Sequence, residues 1–278
     1  AKLVKECLPP LWNLGGTPIA GSAAAWHSLS RHPQAQQKLR GQLGISPRIR
    51  DSLVKVAAVV PAYNEARRIG HVLQAVLAAR CIHEVIVVDD GSTDGTAQAA
   101  RRAGGIRTIV LPRNIGKGGA LKVGVLGTEA DAVLFLDADL VGLTPAHIEA
   151  LVLPVAAGEA HMTVGLFHGG RCVTDLSQLL VPYISGQRAL QRALFLAVPG
   201  LETARFAVET MLTRYASAAH LTVKRIPLRG VTHIMKEEKR GLCRGVWDRL
   251  HMYHDITSAL LRNGYAPFPW PSSPPPSI

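Results

Sequence analysis

The chain has 278 residues, of which 47% are hydrophobic and 18% charged, a composition typical of a globular protein and not of a disordered one. Its formal net charge of +11 favours anionic partners: phosphorylated substrates, nucleic acid or anionic lipid. Aromatic residues make up only 5%, which argues against a single-strand nucleic-acid surface built on base stacking, so we expect no nucleic-acid partner.

The sequence shows no sign of a membrane span or a zinc site. Proline and glycine interrupt the uncharged stretch 7–30, the nearest approach to a spanning helix. The cysteines form no C-x-x-C pair, so we expect reduced thiols. They are Cys7, Cys81, Cys172 and Cys243. We expect a cytoplasmic protein, and peripheral membrane contact and oligomerisation stay open.

Regular alternation of strands and helices begins after an arm at 1–52. The predicted elements are strands at 56–60, 84–88, 108–111 and 132–136 and helices at 69–77, 94–103 and 117–128. Such alternation predicts βαβ units in a Rossmann-like α/β fold, with a mainly parallel sheet and helices on both faces.

The pattern changes beyond about residue 165. Helices are predicted at 189–198, 206–215 and 247–261, a strand at 222–228 and a proline-rich tail from 266. We therefore divide the chain into the arm, a regularly alternating part at 53–165, a part with the changed pattern at 166–240 and a C-terminal helix and tail at 241–278.

The acidic pair Asp137 and Asp139 directly follows the strand at 132–136. Alternation along a strand would turn both carboxylates to one side at the sheet's C-terminal edge, where ligand crevices of open α/β sheets form. Two carboxylates repel each other unless a cation lies between or beside them. A divalent cation such as Mg²⁺ or Mn²⁺ is the natural partner, and it would in turn hold a diphosphate.

Four polar loops follow four strand ends and would line one rim of the sheet. They span 61–65, 89–96, 114–120 and 137–139. Each has a structural alternative: Asn64 is a good helix cap, and Ser92 and Asp94 are common turn and cap residues. The glycines around Lys117 form no Walker pattern, and no G-x-G-x-x-G follows the first strand. Four such loops in order favour a functional rim.

The motifs in these loops are PAYNE at 61–65, VVDDGSTDGT at 87–96, NIGKGGAL at 114–121 and LDADL at 136–140. As a set they resemble the GT-A glycosyltransferases of the large family that contains dolichyl-phosphate mannose synthase, and they are similar to glucosyl-3-phosphoglycerate synthase. The resemblance implies a GT-A fold and metal-dependent transfer of a hexosyl group from a nucleotide sugar, with UDP-glucose favoured. The implied acceptor is a polyprenyl phosphate or, alternatively, a small phosphorylated molecule such as phosphoglycerate.

The resemblance makes 53–165 the nucleotide-sugar-binding part and 166–240 the acceptor-side part, and it also implies roles for individual residues. The nucleotide-sugar pocket would be formed by Pro61, Ala62, Tyr63, Glu65, Asp90, Lys117, Asp137 and Ala138. Asp90 would hydrogen-bond the base, and Lys117 would approach the base or the diphosphate. Asp139 would be the metal ligand, Asp137 would meet the ribose or the metal, and His233 would complete the metal coordination.

On the acceptor side, the resemblance points to Gly186, Gln187 and Arg188. Glu209 is the candidate general base and Asp175 a poorer one, although an anionic phosphate acceptor needs no base. An apolar helix near 190–198 would suit a membrane-borne polyprenyl phosphate, whereas Arg188 would suit a small phosphorylated acceptor.

Two rival classes are weaker. A nucleotidyltransferase would carry a G-x-G-T-R segment after the first strand, where this chain has PAYNE. A non-catalytic nucleotide-sugar binding module would have no need of the intact Asp137, Asp139 and Lys117.

Overall fold

A computed structural model describes residues 54–168, 185–201 and 208–233. The strands are β1 (Val56–Ala62), β2 (Glu84–Asp89), β3 (Arg107–Val110), β4 (Ala132–Phe135), β5 (Leu140–Val141), β6 (Met162–His168), β7 (Arg188–Gln191), β8 (Val223–Arg229) and β9 (Thr232–His233). The helices are α1 (Ile69–Ala78), α2 (Thr96–Arg102), α3 (Lys117–Leu126), α4 (Pro145–Ala156), α5 (Arg192–Ala197) and α6 (Val208–Ala218).

The predicted arm, the helix at 247–261 and the proline-rich tail lie outside the described residues. The four-part division of the chain therefore stays a prediction.

One seven-stranded sheet organises the described chain, in the order β3-β2-β1-β4-β7-β6-β8. Strands β1 to β4 run parallel, β7 runs antiparallel to its neighbours β4 and β6, and β6 and β8 are parallel. A separate antiparallel ribbon pairs β5 with β9. The predicted α/β fold with a mainly parallel sheet is confirmed.

Helices cover both faces of the sheet, so each face has its own core. In β1, Val56, Ala58 and Val60 belong to one core, which α1 and α4 complete, and Val59 belongs to the other, which α3, α5 and α6 complete. A strand buried on both faces reads as a continuous apolar run. This is why the parallel strands are recognisable from the sequence.

The sequence-based elements do not include α4 and β6. Helix α4 begins at Pro145, after the capping residue Thr144, whose hydroxyl accepts a hydrogen bond from the His147 N–H. Pro at the first helical position is favourable. Pro154 lies inside the same helix and conceals its pattern, because proline normally ends a helix.

The helix predicted at 189–198 is only partly present. Its first residues belong to β7, which pairs with β4 on one side and β6 on the other, so pairing in the sheet overrides helical spacing. The short α5 that follows buries Leu194 and Phe195 in the core, where Phe195 packs edge-on against Phe135. Leu196 of the same helix is 42% exposed, so only part of this apolar segment is buried. Within the described ranges, no helix has both the length and the apolarity to span a bilayer.

The packing of α3 on β1 depends on Gly124. A Cβ at this position would collide with Cγ1 of the buried Val59 and lie 3.2 Å from Cγ2 of Val88. Gly70 in α1 has no such neighbour within 4 Å, although it is also a helical glycine.

We therefore expect Gly124→Ala to lower the free energy of unfolding by about 1–3 kcal/mol, because overpacking outweighs the gain in helix propensity. Gly70→Ala is the matched control and should be neutral or stabilising by up to about 1 kcal/mol. Urea unfolding of both variants measures the difference. Equal effects at the two positions would contradict the close packing of α3 on β1.

Candidate active site

The C-terminal ends of β1, β2 and β3 lie side by side because these strands are parallel neighbours, and β4 is parallel to β1 on its other side. The four polar loops predicted from the sequence begin at these ends. The topology therefore brings them to one edge of the sheet.

Side chains of the second loop hold the backbone of the first. Three successive N–H groups donate to them: Asn64 to Ser92 Oγ at 2.9 Å, Glu65 to Thr96 Oγ1 at 2.9 Å and Ala66 to Asp94 Oδ2 at 3.0 Å. Burial tends to raise the pKa of Asp94, but the hydrogen bonds from Thr96 and the Ala66 N–H outweigh it and lower that pKa.

Within the second loop, Asp94 Oδ1 accepts the Thr96 N–H at 3.0 Å and the Ser92 N–H donates to Asp89 Oδ1 at 2.9 Å, so both residues take part in turns. The N-cap of α2 is Gly95, with no side-chain cap hydrogen bond, so the cap role considered for Asp94 is not present.

The first loop carries the residues expected to border a nucleoside. Tyr63 is 42% exposed at the edge, and Glu65 forms an ion pair with Arg68 at 3.1 Å. Pro61 and Ala62 end strand β1, and Ala62 is buried. Nucleoside contact by these residues stays a prediction.

Asp90 organises the third loop. Its carboxylate is 4% exposed and accepts the Ile115 N–H at 2.7 Å on Oδ1 and the Gly116 N–H at 3.0 Å on Oδ2. Gly116 has a φ of +88°, a left-handed conformation that favours glycine, and α3 begins at the next residue. Asp90 therefore sets the position at which Lys117 enters the site. Its expected contact with the base stays a prediction.

The side chain of Lys117 lies between two carboxylates. Its Nζ is 2.7 Å from Asp137 Oδ1 and 2.5 Å from Glu209 Oε1. Lys117 is the first residue of α3, where the positive end of the helix dipole disfavours a cation. The two carboxylates offset that unfavourable position, and in doing so they join the end of β4 to the first turn of α6.

The ionisation of Lys117 follows from this geometry. Burial tends to lower its pKa, but the charges of Asp137 and then Glu209, with their hydrogen bonds, outweigh burial, and the pKa lies above its ordinary value. The ammonium is therefore charged at neutral pH. It is the cation that offsets Asp137 in this structure.

Asp137 is engaged on both oxygens, because its Oδ2 accepts a hydrogen bond from Gln187 Nε2 at 2.8 Å. The backbone of Gly186 approaches so closely that a Cβ there would lie 2.5 Å from Lys117 Nζ and 2.7 Å from Asp137 Oδ2. Only glycine fits at that position without displacing the pair. The structure thus brings Gly186 and Gln187 to the site, and their role toward an acceptor stays a prediction.

Arg188 does not face the rim, which corrects the expectation of a direct acceptor contact. The side chain is only 1% exposed, and it donates from Nε to the Ser185 carbonyl at 2.8 Å and from Nη1 to Thr213 Oγ1 at 2.7 Å. Burial lowers its pKa to about 10, and the charge of Glu209 partly opposes this. The pairing of β7 with β4 explains the placement. Arg188 lies opposite Phe135, whose side chain belongs to the core, and residues directly opposite each other point to the same face of the sheet.

Glu209 lies in the first turn of α6 and is 7% exposed. Lys117 binds its Oε1, and Arg188 adds a second buried positive charge nearby. The structure therefore brings the candidate base to the same cluster as Asp137. Its catalytic role stays a prediction, and the poorer candidate Asp175 lies outside the described residues.

Asp139 and His233 come together through the β5–β9 ribbon. Strand β4 ends at Phe135, so residues 137–139 lie in the connection to β5. The expectation that strand alternation turns both carboxylates to one side was therefore wrong. Leu140, the residue after Asp139, pairs with His233. The ribbon thus places the backbone of His233 beside the acidic tripeptide.

The donor set at this edge fits a divalent cation bound together with a diphosphate. In the part of the chain that the structure describes, no three His, Cys, Asp or Glu side chains are grouped to hold a metal. Mg²⁺ commonly takes one or two carboxylates and completes its shell with phosphate oxygens and water. Asp139 is half-buried at the start of the ribbon, and both oxygens of Asp137 bind other side chains, Lys117 and Gln187.

Sequence reasoning missed Thr213 and assigned no role to Ser185; both residues link the cluster internally. Ser185 Oγ donates to Gln187 Oε1 at 3.1 Å, and Thr213 accepts from Arg188. It also missed the pairing of Lys117 with Glu209. These residues are 92 positions apart, and no local pattern signals their contact.

The chain matches a known protein family. The model of glycosyl transferase family 2 matches residues 57–211, more than half of the chain. Human dolichyl-phosphate beta-glucosyltransferase is 34% identical over 136 residues, a match covering 42% of this chain and 42% of that protein. The 4,4'-diaponeurosporenoate glycosyltransferase of Staphylococcus aureus strain Newman is 36% identical over 98 residues, covering 34% of this chain and 26% of that protein. The chain thus spans less than half the length of these relatives.

Solved structures match more of the chain. Glucosyl-3-phosphoglycerate synthase from Mycobacterium tuberculosis, in complex with Mn²⁺, UDP and glucosyl-3-phosphoglycerate, superposes with a TM-score of 0.60 at 26% identity, covering 76% of this chain and 81% of that one. The same enzyme with Mg²⁺ and UDP gives a TM-score of 0.60 at 25% identity, covering 79% and 86%. The expected GT-A fold is thereby confirmed.

Proposed function

Because the chain belongs to glycosyl transferase family 2, we propose that it transfers a glucosyl group from UDP-glucose to a phosphorylated acceptor with the help of Mg²⁺ or Mn²⁺. The observation that carries the proposal is the cluster of Lys117, Asp137 and Glu209 at the sheet edge, next to Asp139.

The rim supports a nucleotide-sugar donor. The solved neighbours bind UDP, and one is in complex with UDP-glucose and Mn²⁺ at 27% identity. In this chain, the nucleoside would lie against Tyr63 and Glu65, and Asp90 keeps the third loop in place beside it. The intact charged cluster favours an enzyme over a non-catalytic binding module.

Asp139 would hold the cation, and His233 would be the second protein ligand. Asp137, which binds Lys117, would meet the ribose or the cation. Once bound, the divalent cation would neutralise the negative charge that develops on the departing diphosphate. Lys117 would add its positive charge on the same diphosphate, since its four-carbon stem allows the ammonium to move away from Asp137.

The chemical step is a substitution at the anomeric carbon. An acceptor oxygen forms the new C–O bond, and the bond to the β-phosphate oxygen of UDP breaks, leaving its electron pair on UDP. A phosphate acceptor is already anionic and needs no base. For a hydroxyl acceptor, Glu209 would take the proton after Lys117 leaves its Oε1.

A polyprenyl phosphate is the acceptor we favour, because the dolichyl-phosphate beta-glucosyltransferases are among the curated relatives most similar to this chain. Helix α5 buries Leu194 and Phe195 in the core, which leaves Leu196, 42% exposed, as its large apolar side chain open to a lipid.

Phosphoglycerate is the second candidate. It is supported by the structural neighbours, whose match covers a larger share of the chain and includes complexes with phosphoglyceric acid. The buried Arg188 does not add to that support, because its guanidinium is bound inside the protein.

A product assay separates the two acceptors. The protein is incubated with radiolabelled UDP-glucose and Mn²⁺, in parallel with polyprenyl phosphate and with 3-phosphoglycerate, and the products are partitioned between butanol and water. We expect label in butanol when the lipid is supplied. If the label stays in water as a new phosphorylated glucoside, the small molecule is the acceptor and not the lipid. Release of UDP without any glucosylated product, whichever acceptor is supplied, would contradict the transfer.

Asp139→Ala should abolish metal-dependent turnover while the protein stays folded, because the cation loses its main protein ligand. Turnover is measured as UDP release over a Mn²⁺ titration, and folding by thermal unfolding. Asp131→Ala is the control, since this exposed carboxylate accepts the Lys55 N–H at 2.9 Å at the start of β4, away from the rim. Wild-type turnover by the Asp139 variant would remove this residue from the mechanism.

A further inference from the structure

Lys117 occupies the acidic corner to which the cation is expected to bind. Its ammonium is 2.7 Å from Asp137 Oδ1, and Gln187 holds Oδ2 of the same carboxylate. Asp137 therefore already has a positive charge against it.

The pair is shielded enough for this charge to matter. The exposed fractions of the side chains are 23% for Lys117, 21% for Asp137 and 9% for Glu209. Charges in such partly buried positions are screened less than surface charges. A divalent cation beside Asp139 would be repelled by the ammonium and would find Asp137 taken.

We propose that Lys117 is a built-in competitor of the divalent cation, which keeps the corner in a low-affinity state until a diphosphate is present. The inference rests on the proposed function and concerns the order in which its ligands bind. The diphosphate supplies oxygens that bind the cation and, at the same time, an anionic partner to which the Lys117 ammonium moves.

Three features favour a movable lysine over a fixed one. Lys117 stands at the first position of α3, where the helix itself does not stabilise a cation. Its chain is flexible and its ammonium is a point charge that needs no fixed angle, unlike a guanidinium. The third is that a helix N-terminus attracts phosphate, so the diphosphate would arrive close to Lys117.

The same movement would prepare the acceptor side. When the ammonium leaves, Glu209 loses the partner that holds its Oε1, while Arg188 remains as its buried positive neighbour. Glu209 would therefore be released only when the donor is bound.

The test measures Mn²⁺ binding directly, by the electron paramagnetic resonance signal of free Mn²⁺, with and without UDP. In the wild type we expect weak binding without UDP and much tighter binding with it. Lys117→Met should tighten nucleotide-free binding by roughly tenfold, because a nearby unit charge is removed and Asp137 becomes available. The advantage given by UDP should shrink accordingly, since coupling between two ligands is reciprocal.

Two further variants separate competition from loss of charge or loss of fold. Lys122→Met removes a positive charge five residues further along the same helix and should bind Mn²⁺ as the wild type does. Glu209→Gln leaves Lys117 on Asp137, so nucleotide-free binding should stay weak. If Lys117→Met does not fold, Lys117→Arg serves instead: it keeps the charge and should keep nucleotide-free binding weak, and tight binding by that variant would contradict competition.

The outcomes distinguish this inference from the proposed function. Tight Mn²⁺ binding with UDP, together with unchanged nucleotide-free binding in a folded Lys117→Met variant, would overturn the competition and leave the function standing. A rise in Glu209→Gln equal to that in Lys117→Met would also overturn it. Absence of Mn²⁺ binding in the wild type even with UDP would contradict the metal-dependent function itself.

Discussion

The ammonium of Lys117, held between the carboxylates of Asp137 and Glu209, is the interaction on which the site depends. It joins three elements that are far apart in sequence: the N-terminus of α3, the end of β4 and the first turn of α6. Asp90 fixes the loop through which Lys117 arrives, and Gly186 leaves just enough room for the contact. Removing one partner would leave a partly buried charge uncompensated, which is far more costly than losing a surface ion pair.

Around this cluster, the fold separates a donor side from an acceptor side. The parallel strands β1 to β4 bring the polar loops to one edge, and the antiparallel β7 returns along β4 to bring Gly186 and Gln187 against Asp137. The buried Arg188 secures this return, because it ties the Ser185 carbonyl to Thr213 of α6. The β5–β9 ribbon brings the backbone of His233 beside residues 137–139.

Local sequence patterns were sufficient to predict the parallel half of the fold and its polar rim. Strands such as β1 are continuous apolar runs because both of their faces are buried, and the loops after them carry recognisable turn residues. The rest depends on long-range packing. Arg188 reads as a cation two residues after Gly186, and only its position in β7 shows that it enters the core. Sequence resemblance assigns Asp137 a role toward the ribose or the metal, and only the folded chain brings Lys117 against its carboxylate.

A double-mutant cycle tests the central claim most directly. The free energy of unfolding is measured by urea titration for the wild type, Lys117→Met, Glu209→Gln and the double variant. If the ammonium joins the two halves of the site as described, the double variant should be more stable than the sum of the single changes implies, with a coupling energy of about 1–3 kcal/mol. Effects that add to within about 0.5 kcal/mol would contradict the account.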